Sequence, residues 1–240
     1  MSNHYFQFKE FTVQQERTAM KVCTDACLFG AYTAGLIAGG KLTATNCLDI
    51  GTGTGLLSLM LAQKTDATID AVEIDNAAYY QAKENFAHAP WTERLTVYHS
   101  NILQFDAAKK YDCIISNPPF FEKDLKSDDD KKNTAKHGTA LTLQQLLQVV
   151  SKNLQADGFF TILLPYHRIN FCIEEAEKEG LYLSKKVLVK QTPLHAWFRG
   201  ILFFSRQQGL STKEEISIRD NMGDYTNKFM DLLEDYYLYL

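Results

Sequence analysis

Short apolar runs alternate with helical patterns along most of the 240-residue chain. Strands that are joined by helical crossovers form parallel sheets with helices on both faces. The alternation therefore predicts an α/β fold with a seven-stranded, mostly parallel sheet. The predicted strands are 46–50, 68–73, 95–99, 111–116, 157–164, 183–189 and 197–204, and the predicted helices are 25–38, 54–64, 76–87, 140–154 and 168–179.

Residues at the ends of these segments indicate where some helices begin. Thr24 is expected to cap the first helix, and Thr139 or Thr142 the helix of residues 140–154, because a threonine oxygen accepts from the free N–H groups of a helix start. The apolar-rich segment from Phe229 to Leu240 is also predicted to be a helix.

The first predicted strand runs into glycines at alternate positions, Gly51, Gly53 and Gly55. Glycine permits a tight turn and lets the backbone approach a ligand closely. The spacing is not the dinucleotide fingerprint, because Leu56 stands where its third glycine belongs, and no G-K-[ST] of a Walker loop follows. The loop between a first strand and a first helix predicts a nucleotide-type site.

Two acidic residues flank this loop in the predicted sheet. Glu73 ends the second strand, 22 residues after Gly51, about where a carboxylate binds ribose hydroxyls in nucleotide-binding sheets. Asp49, just before the glycines, is expected to hold the loop or to meet an ammonium group. Ordinary solvation of a strand end is the alternative interpretation for both acids.

Asn117, Pro118, Pro119 and Phe120 directly follow the apolar strand at 111–116. Each proline fixes its own φ and lacks an N–H, and a residue before proline is kept out of the helical region. The stiff, extended peptide lets the Asn117 side-chain oxygen and the Pro118 carbonyl face one point, where they suit an exocyclic amine. Phe120 offers a flat face to a ring. A strand terminator followed by a core phenylalanine is the alternative.

Taken together, these residues resemble the class I S-adenosylmethionine-dependent methyltransferases of the branch that carries (D/N/S)PP(Y/F). The likeness extends to the bacterial tRNA1(Val) adenine-N6 methyltransferases through residues 8–13, 20–31, 49–56, 116–121 and Lys136-His137. It implies a single Rossmann-like class I methyltransferase domain at 45–240. An N-terminal segment, 1–44, would close over the cofactor.

The resemblance implies N6-methylation of adenine 37 in the anticodon loop of valine tRNA, with S-adenosylmethionine as cofactor. Asn117, Pro118, Pro119 and Phe120 are the implied catalytic residues. The expected cofactor contacts are Lys21, Thr24, Asp25, Asp49, Gly51, Gly53, Gly55, Glu73, Ile74, Asn101 and Ile102. The expected substrate contacts are Phe120, Phe121, Lys131, Lys132, Lys136 and His137.

Some of these expectations depart from the family pattern or have a simpler alternative. Ser100-Asn101-Ile102 stands where many relatives have Gly-Asp-Ile, so Asn101 must donate and accept in place of an aspartate. Ile74 and Ile102 would enclose the adenine ring, or else pack in the core. Asp25 would balance the ammonium group of the cofactor, or else meet the dipole of its own helix.

Composition sets limits on the partner and the compartment. The net charge of −4 counts against an RNA substrate, although a locally basic face is sufficient for phosphate contacts. The best basic cluster, at 131–137, adjoins three aspartates at 128–130. Five scattered cysteines without a CxxC motif indicate a reducing cytoplasm and no zinc site. We expect no membrane span, no secretory signal and a monomer.

Two other functions compete with tRNA methylation. The same Asn-Pro-Pro-aromatic site also serves guanine N2 in ribosomal RNA and glutamine side chains in translation factors. The glutamine enzymes usually carry a separate N-terminal recognition domain, for which the stretch before the first strand leaves little room. A non-catalytic module that binds the cofactor or RNA is a third hypothesis, but such a module would not need two aligned acceptors.

Overall fold

The computed structural model describes residues 3–119 and 141–240. In chain order, its strands are β1 (Tyr5–Gln7), β2 (Thr12–Gln14), β3 (Asn46–Ile50), β4 (Thr68–Glu73), β5 (Leu95–His99), β6 (Tyr111–Ser116), β7 (Leu154–Pro165), β8 (Tyr182–Lys190), β9 (Arg199–Ser205) and β10 (Thr212–Ser217). Its α-helices are α1 (Thr24–Ala38), α2 (Leu56–Lys64), α3 (Asn76–Ala87), α4 (Leu143–Asn153), α5 (Ile169–Lys178) and α6 (Asn227–Leu233).

The central sheet has the order β10-β8-β9-β7-β6-β3-β4-β5. All neighbouring strands are parallel except at β9, which is antiparallel to both β7 and β8. The seven predicted strands are all present, which confirms the α/β fold with a mostly parallel sheet. The count of seven misses β10, an edge strand of charged composition whose buried apolar side chain is Ile216.

Helices cover both faces of the sheet and divide the buried side chains into two cores. Helices α1, α2 and α6 contribute to the first core, and α4 and α5 contribute to the second. Strand β6 serves both cores, since Cys113 and Ile115 belong to the first and Ile114 to the second. This alternation follows from the two-residue period of a strand. The prediction of helices on both faces is confirmed.

The predicted helix ends are partly confirmed. Thr142 caps α4 through a reciprocal pair of hydrogen bonds with Gln145, as the sequence predicts. The prediction for Thr24 is wrong: α1 begins at Thr24 itself, and its capping residue Cys23 makes no side-chain capping bond. The last helix ends at Leu233 rather than Leu240, because the chain then turns into the first core and the Tyr236 hydroxyl donates to the Met60 carbonyl (2.9 Å).

The N-terminal residues form a hairpin, β1–β2, that is tied to helix α3 by side-chain amides. Asn85 accepts from the Gln14 N–H (2.9 Å) and donates to the Gln14 carbonyl (2.9 Å). It also donates to the Thr54 carbonyl (2.8 Å) in the glycine-rich turn. The hairpin and this turn are therefore held by the same buried residue. Throughout 3–119 and 141–240, no helix has both the length and the apolar character to cross a bilayer.

Candidate functional site

A cavity of about 570 Å³ opens where β3, β4, β5 and β6 end, on the side of their carboxyl termini. Ligands bind at this edge of open parallel sheets, since loops from several strands converge there. The volume lies in the range of small-molecule sites. Ten of the predicted site residues line this first cavity: Lys21, Gly51, Gly53, Glu73, Ile74, Asn101, Ile102, Asn117, Pro118 and Pro119.

The glycine-rich turn between β3 and α2 forms one wall of the first cavity. Gly53 and Gly55 have φ of 59° and 85°, a region that side chains other than glycine rarely enter. A Cβ atom at Gly55 would also lie 2.5 Å from the Phe86 ring. Gly55 therefore serves the packing of the turn on α3, whereas Gly53 lies at the cavity.

Glu73 lies opposite that turn and is 8% exposed. One carboxylate oxygen accepts from the Gly53 N–H (2.9 Å), and the other accepts from the Asp75 N–H (2.8 Å). Each oxygen keeps a second lone pair for a ligand. The structure thus holds an oriented acceptor pair at the cavity wall, beside Asp75, which caps α3 by accepting from the Ala78 N–H (2.8 Å).

Asp49 is fully buried beneath the turn and does not line the cavity. One of its oxygens accepts from the hydroxyls of Thr52 (2.6 Å) and Ser58 (2.7 Å), while the other has no hydrogen-bond partner. Burial raises the pKa of Asp49 to about 6. These contacts match the hypothesis that Asp49 holds the loop.

Thr24 and Asp25 are not among the residues that line the first cavity. Asp25 forms an ion pair with Arg199 (2.7 Å) and accepts from the Ala26 N–H (3.2 Å). The structure therefore gives this carboxylate a different partner from the predicted ammonium group. The cation beside Asp25 is Arg199 of β9, and no spacing along the chain could have indicated this pair.

The three residues that were predicted to contact adenine, Ile74, Asn101 and Ile102, line the first cavity. The Asn101 side-chain oxygen accepts from the Leu103 N–H (3.0 Å), so the residue stabilises its own turn as well as facing the cavity. Ile74 is 49% exposed, whereas Ile102 is buried and also belongs to the second core. Both interpretations of Ile102, as cavity wall and as core residue, are therefore compatible with its position.

The Asn-Pro-Pro turn closes the cavity at the end of β6. The Ser116 hydroxyl donates to the Ile50 carbonyl (2.8 Å), which ties the turn to the neighbouring strand. The Asn117 side-chain oxygen is buried and has no hydrogen-bond partner. A buried acceptor without a donor is costly, so this atom points to a ligand that donates. The predicted residues Phe120, Phe121, Lys131, Lys132, Lys136 and His137 lie outside the described residues.

Several cavity residues were missed by sequence reasoning. The segment 17–22, in which Lys21 alone was predicted as a site residue, crosses one side of the cavity, and the Arg17 N–H donates to the Gln81 side chain in α3 (3.2 Å). Gln81 and Asn85 are buried polar residues in a helix. Polar residues at helical spacing among alanines were a usable signal for an anchoring role. Other missed lining residues are Thr52, Thr54, Asp75, Ser100, Leu103 and Leu141.

A second cavity, of about 440 Å³, adjoins the first. Pro118, Pro119 and Leu141 line both cavities, so the Asn-Pro-Pro turn is the partition between them. The other walls of the second cavity come from the start of α4 and from the segments after β7 and β8. Among the described residues, no cluster of His, Cys, Asp and Glu side chains is arranged to hold a metal ion.

Four features together define a class I methyltransferase. They are the antiparallel strand β9 in an otherwise parallel sheet, the glycine-rich turn, the acid at the end of β4 and the Asn-Pro-Pro turn. The family model of the methyltransferase small domain matches residues 37–164. The protein is an enzyme that uses S-adenosylmethionine, and the first cavity has the size, the paired acceptors at Glu73 and the glycine turn that fit this cofactor.

The relatives are more specific. A protein from Dyadobacter fermentans named tRNA1(Val) (adenine(37)-N6)-methyltransferase is 41% identical over 241 residues and covers 98% of each chain. One of the same name from Cytophaga hutchinsonii is 41% identical over 246 residues and covers both chains in full. The chain belongs to the tRNA1(Val) (adenine(37)-N6)-methyltransferase family.

Solved structures agree on the fold. A protein from Agrobacterium tumefaciens described as a predicted O-methyltransferase superposes with a TM-score of 0.66 at 13% identity, over 88% of this chain and 96% of that one. A 16S rRNA N2 G1207 methyltransferase from T. thermophilus, in complex with AdoMet and guanosine, gives a TM-score of 0.58 at 18% identity. That match covers 85% of this chain and 50% of the other.

Proposed function

We propose that this enzyme methylates N6 of adenine 37 in the anticodon loop of valine tRNA. The observation that carries the proposal is the buried Asn117 oxygen, an acceptor without a donor at the partition between two cavities. An exocyclic amine supplies the missing N–H. The names of the full-length relatives support the choice of tRNA and of adenine.

In this proposal the first cavity holds the cofactor, which supplies an electrophilic methyl group. The glycine turn at Gly51 and Gly53 lets the backbone approach it closely. Glu73 would accept hydrogen bonds from the ribose of the cofactor, because its two oxygens are already oriented by backbone N–H groups. Ile74 and Ile102, which line the first cavity, would flank the adenine ring of the cofactor, and the Asn101 side chain would meet the edge of that ring.

The Asn-Pro-Pro turn positions the amine that is methylated. The Asn117 oxygen and the Pro118 carbonyl accept from the two N6–H groups, which directs the nitrogen lone pair towards the first cavity. As the bond between N6 and the methyl carbon forms, the bond from that carbon to the cofactor's sulfonium sulfur would break and leave S-adenosylhomocysteine, and N6 would then lose a proton to water. No strong base is needed, and positioning supplies most of the rate gain.

We further propose that residues 1–44 act with the domain at 45–240 as a cover for the cofactor. Residues 17–22 line the first cavity, and the Val22 N–H donates to the buried side chain of Gln15 (2.8 Å). The ammonium group of Lys21 donates to the Gln15 carbonyl. Helix α1, by contrast, packs in the first core against α2. The covering role therefore belongs to the stretch before α1.

We propose that the enzyme works as a monomer in the cytoplasm, where tRNA is modified. All five cysteines are free, and Cys27, Cys47, Cys113 and Cys172 are buried, which agrees with a reducing compartment. Size-exclusion chromatography with light scattering checks the oligomeric state, and a dimer mass would reject the monomer.

The direct test is methylation of defined transcripts with labelled S-adenosylmethionine, followed by digestion and mapping of the labelled nucleoside. We expect N6-methyladenosine in valine tRNA and no label in a matched transcript with guanine at position 37. Label as methylguanosine in ribosomal RNA, or in protein alone, would move the substrate to another class. Cofactor binding without any transfer would favour the non-catalytic module.

A further inference from the structure

The peptide unit between Ile74 and Asp75 is held at both of its polar ends. Its N–H group, on Asp75, donates to one carboxylate oxygen of Glu73 (2.8 Å). Its carbonyl oxygen, on Ile74, accepts from the ring nitrogen Nε2 of His99 (3.2 Å). A trans peptide unit is planar, so its N–H and C=O groups point in opposite directions and turn together. The bond from His99 therefore fixes the direction of the N–H group that orients the Glu73 carboxylate.

The state and the orientation of the His99 ring follow from its neighbours. A carbonyl oxygen can only accept, so Nε2 of His99 must carry a hydrogen. The ring stacks on the Tyr79 ring of α3, with centroids 5.1 Å apart and an interplanar angle of 21°. The Tyr79 N–H in turn donates to the Asp75 carbonyl (2.9 Å). Helix α3 thus holds the imidazole ring beside the peptide that it contacts.

The backbone of Glu73 is fixed separately, by the sheet. His99 ends β5 and stands opposite Glu73 of β4 in the parallel register. The Ser100 N–H donates to the Glu73 carbonyl (3.0 Å). The Ile74–Asp75 peptide lies beyond this last paired residue of β4. What the His99 side chain adds is therefore the orientation of that peptide and, through it, of the Glu73 carboxylate.

This contact lies outside the first cavity. Glu73 and Ile74 line the cavity, whereas His99 and Tyr79 do not. Any influence of the imidazole ring on a ligand in the cavity must therefore pass through the Ile74–Asp75 peptide. The acceptor nearest to this peptide is Glu73, the residue that would receive the ribose hydroxyls.

We propose that His99 is a positioning residue for the cofactor, because it orients the ribose-binding carboxylate of Glu73 through the Ile74–Asp75 peptide. The inference rests on the placement of the cofactor under the proposed function and adds a residue that does not touch the ligand. The net contribution of a hydrogen bond between neutral groups corresponds to about a 2- to 10-fold change in a binding constant. A loss of this size is expected when the His99 bond is removed.

The first experiment measures the Kd of S-adenosylhomocysteine by calorimetry. His99→Ala should raise this Kd about 2- to 10-fold, and His99→Gln, whose amide can donate to the same carbonyl, should restore most of the affinity. His88→Ala is the matched control and should keep the wild-type Kd. The His88 ring also contacts a main-chain carbonyl, that of Glu84 (2.8 Å), but at the far end of α3. Circular dichroism melting checks that each variant is folded.

A second measurement distinguishes action through Glu73 from a general loosening of the site. An analogue of S-adenosylhomocysteine without the ribose 2′-hydroxyl should bind wild type more weakly than the parent compound does. In His99→Ala this difference should shrink, because the carboxylate that receives the hydroxyl is no longer oriented. An equal difference in both enzymes would overturn the assignment.

A double-mutant cycle gives an independent check. Glu73→Ala removes the carboxylate, so the addition of His99→Ala should then cost little further affinity for S-adenosylhomocysteine. Losses that simply add would show that the two residues act separately, and would overturn the assignment.

The binding measurements do not depend on which substrate is methylated. The predicted changes in Kd, in an enzyme that methylates another RNA or a protein, would reject the proposed function and support the role of His99. A folded His99→Ala enzyme with the wild-type Kd would overturn this role and leave the proposed function standing.

Discussion

The two cavities on either side of the Asn-Pro-Pro turn differ in how they are built. The first is walled by backbone turns at strand ends, and its ligand-facing acceptors at Glu73 are held by backbone N–H groups. The second is walled by side chains drawn from distant segments, among them the exposed Tyr166 and the buried Leu146 and Leu164. The first suits a small cofactor of constant shape.

This difference teaches where each site can be changed without loss of the fold. Walls made of tightly turned backbone belong to the core, so a substitution there affects stability and binding together. Walls made of exposed side chains can change with little effect on stability. Four predictions test this contrast.

The largest effect is expected for Gly55→Ala in the wall of the cofactor turn. The positive φ and the Cβ contact with Phe86 should together lower the free energy of unfolding by about 2 to 5 kcal/mol. Gly209→Ala is the control in the other half, since nothing lies within 4 Å of its Cβ position, and its stability should be unchanged or slightly raised. Equal unfolding midpoints in urea for both variants would contradict the expected difference between the two kinds of cavity wall.

Asn117→Ala should lower kcat about 10²- to 10³-fold, as expected for the loss of one preorganised hydrogen-bonding group at the reacting atom. The Kd for the cofactor should stay unchanged, because the turn itself is held by Ser116 and the prolines. Asn117→Asp keeps an acceptor and should retain most of the activity. Single-turnover kinetics check this prediction, and a wild-type rate for Asn117→Ala would refute the mechanism without affecting the fold.

Glu73→Gln should weaken cofactor binding about 10- to 100-fold, the usual range for a hydrogen bond to a charged group. The amide nitrogen has no lone pair, so either Gly53 or Asp75 loses the acceptor of its N–H. Binding of tRNA should be unaffected, because Glu73 is held in the wall of the cofactor cavity by the Gly53 and Asp75 N–H groups. Calorimetry measures the Kd, with the exposed Glu93→Gln as control. Equal losses of affinity for the cofactor and for tRNA would contradict the separation of the two binding sites.

The smallest effect concerns the buried acid below the turn. The pKa of Asp49 is raised from 3.8 to about 6 by burial, so the folded protein holds this proton more tightly than the unfolded chain does. The resulting stabilisation is lost as the pH rises through the folded pKa, by about 1 kcal/mol between pH 5 and pH 7. The unfolding free energy of wild type, relative to Asp49→Asn, should fall by this amount over that interval. A pH-independent difference would show that Asp49 does not titrate there.

Much of the fold could be predicted from the sequence, because strand and helix periods are local properties. The apolar run at 111–116 and the capping Thr142 needed no knowledge of their neighbours in space. Strand β10 could not be predicted, since its six residues become a strand only by pairing with β8. The helix predicted to reach Leu240 ends early for the same reason: contacts with the first core decide it.

The candidate site divides in the same way. The glycine turn, Glu73 and the Asn-Pro-Pro turn were visible in the sequence, because the stiffness of proline, the freedom of glycine and the spacing of strand ends act within a few residues. Only the tertiary structure decided that Asp25 pairs with Arg199, and that Tyr166 and Trp197 share a wall. Those partners are brought together by the order of the strands in the sheet, which packing between distant segments determines.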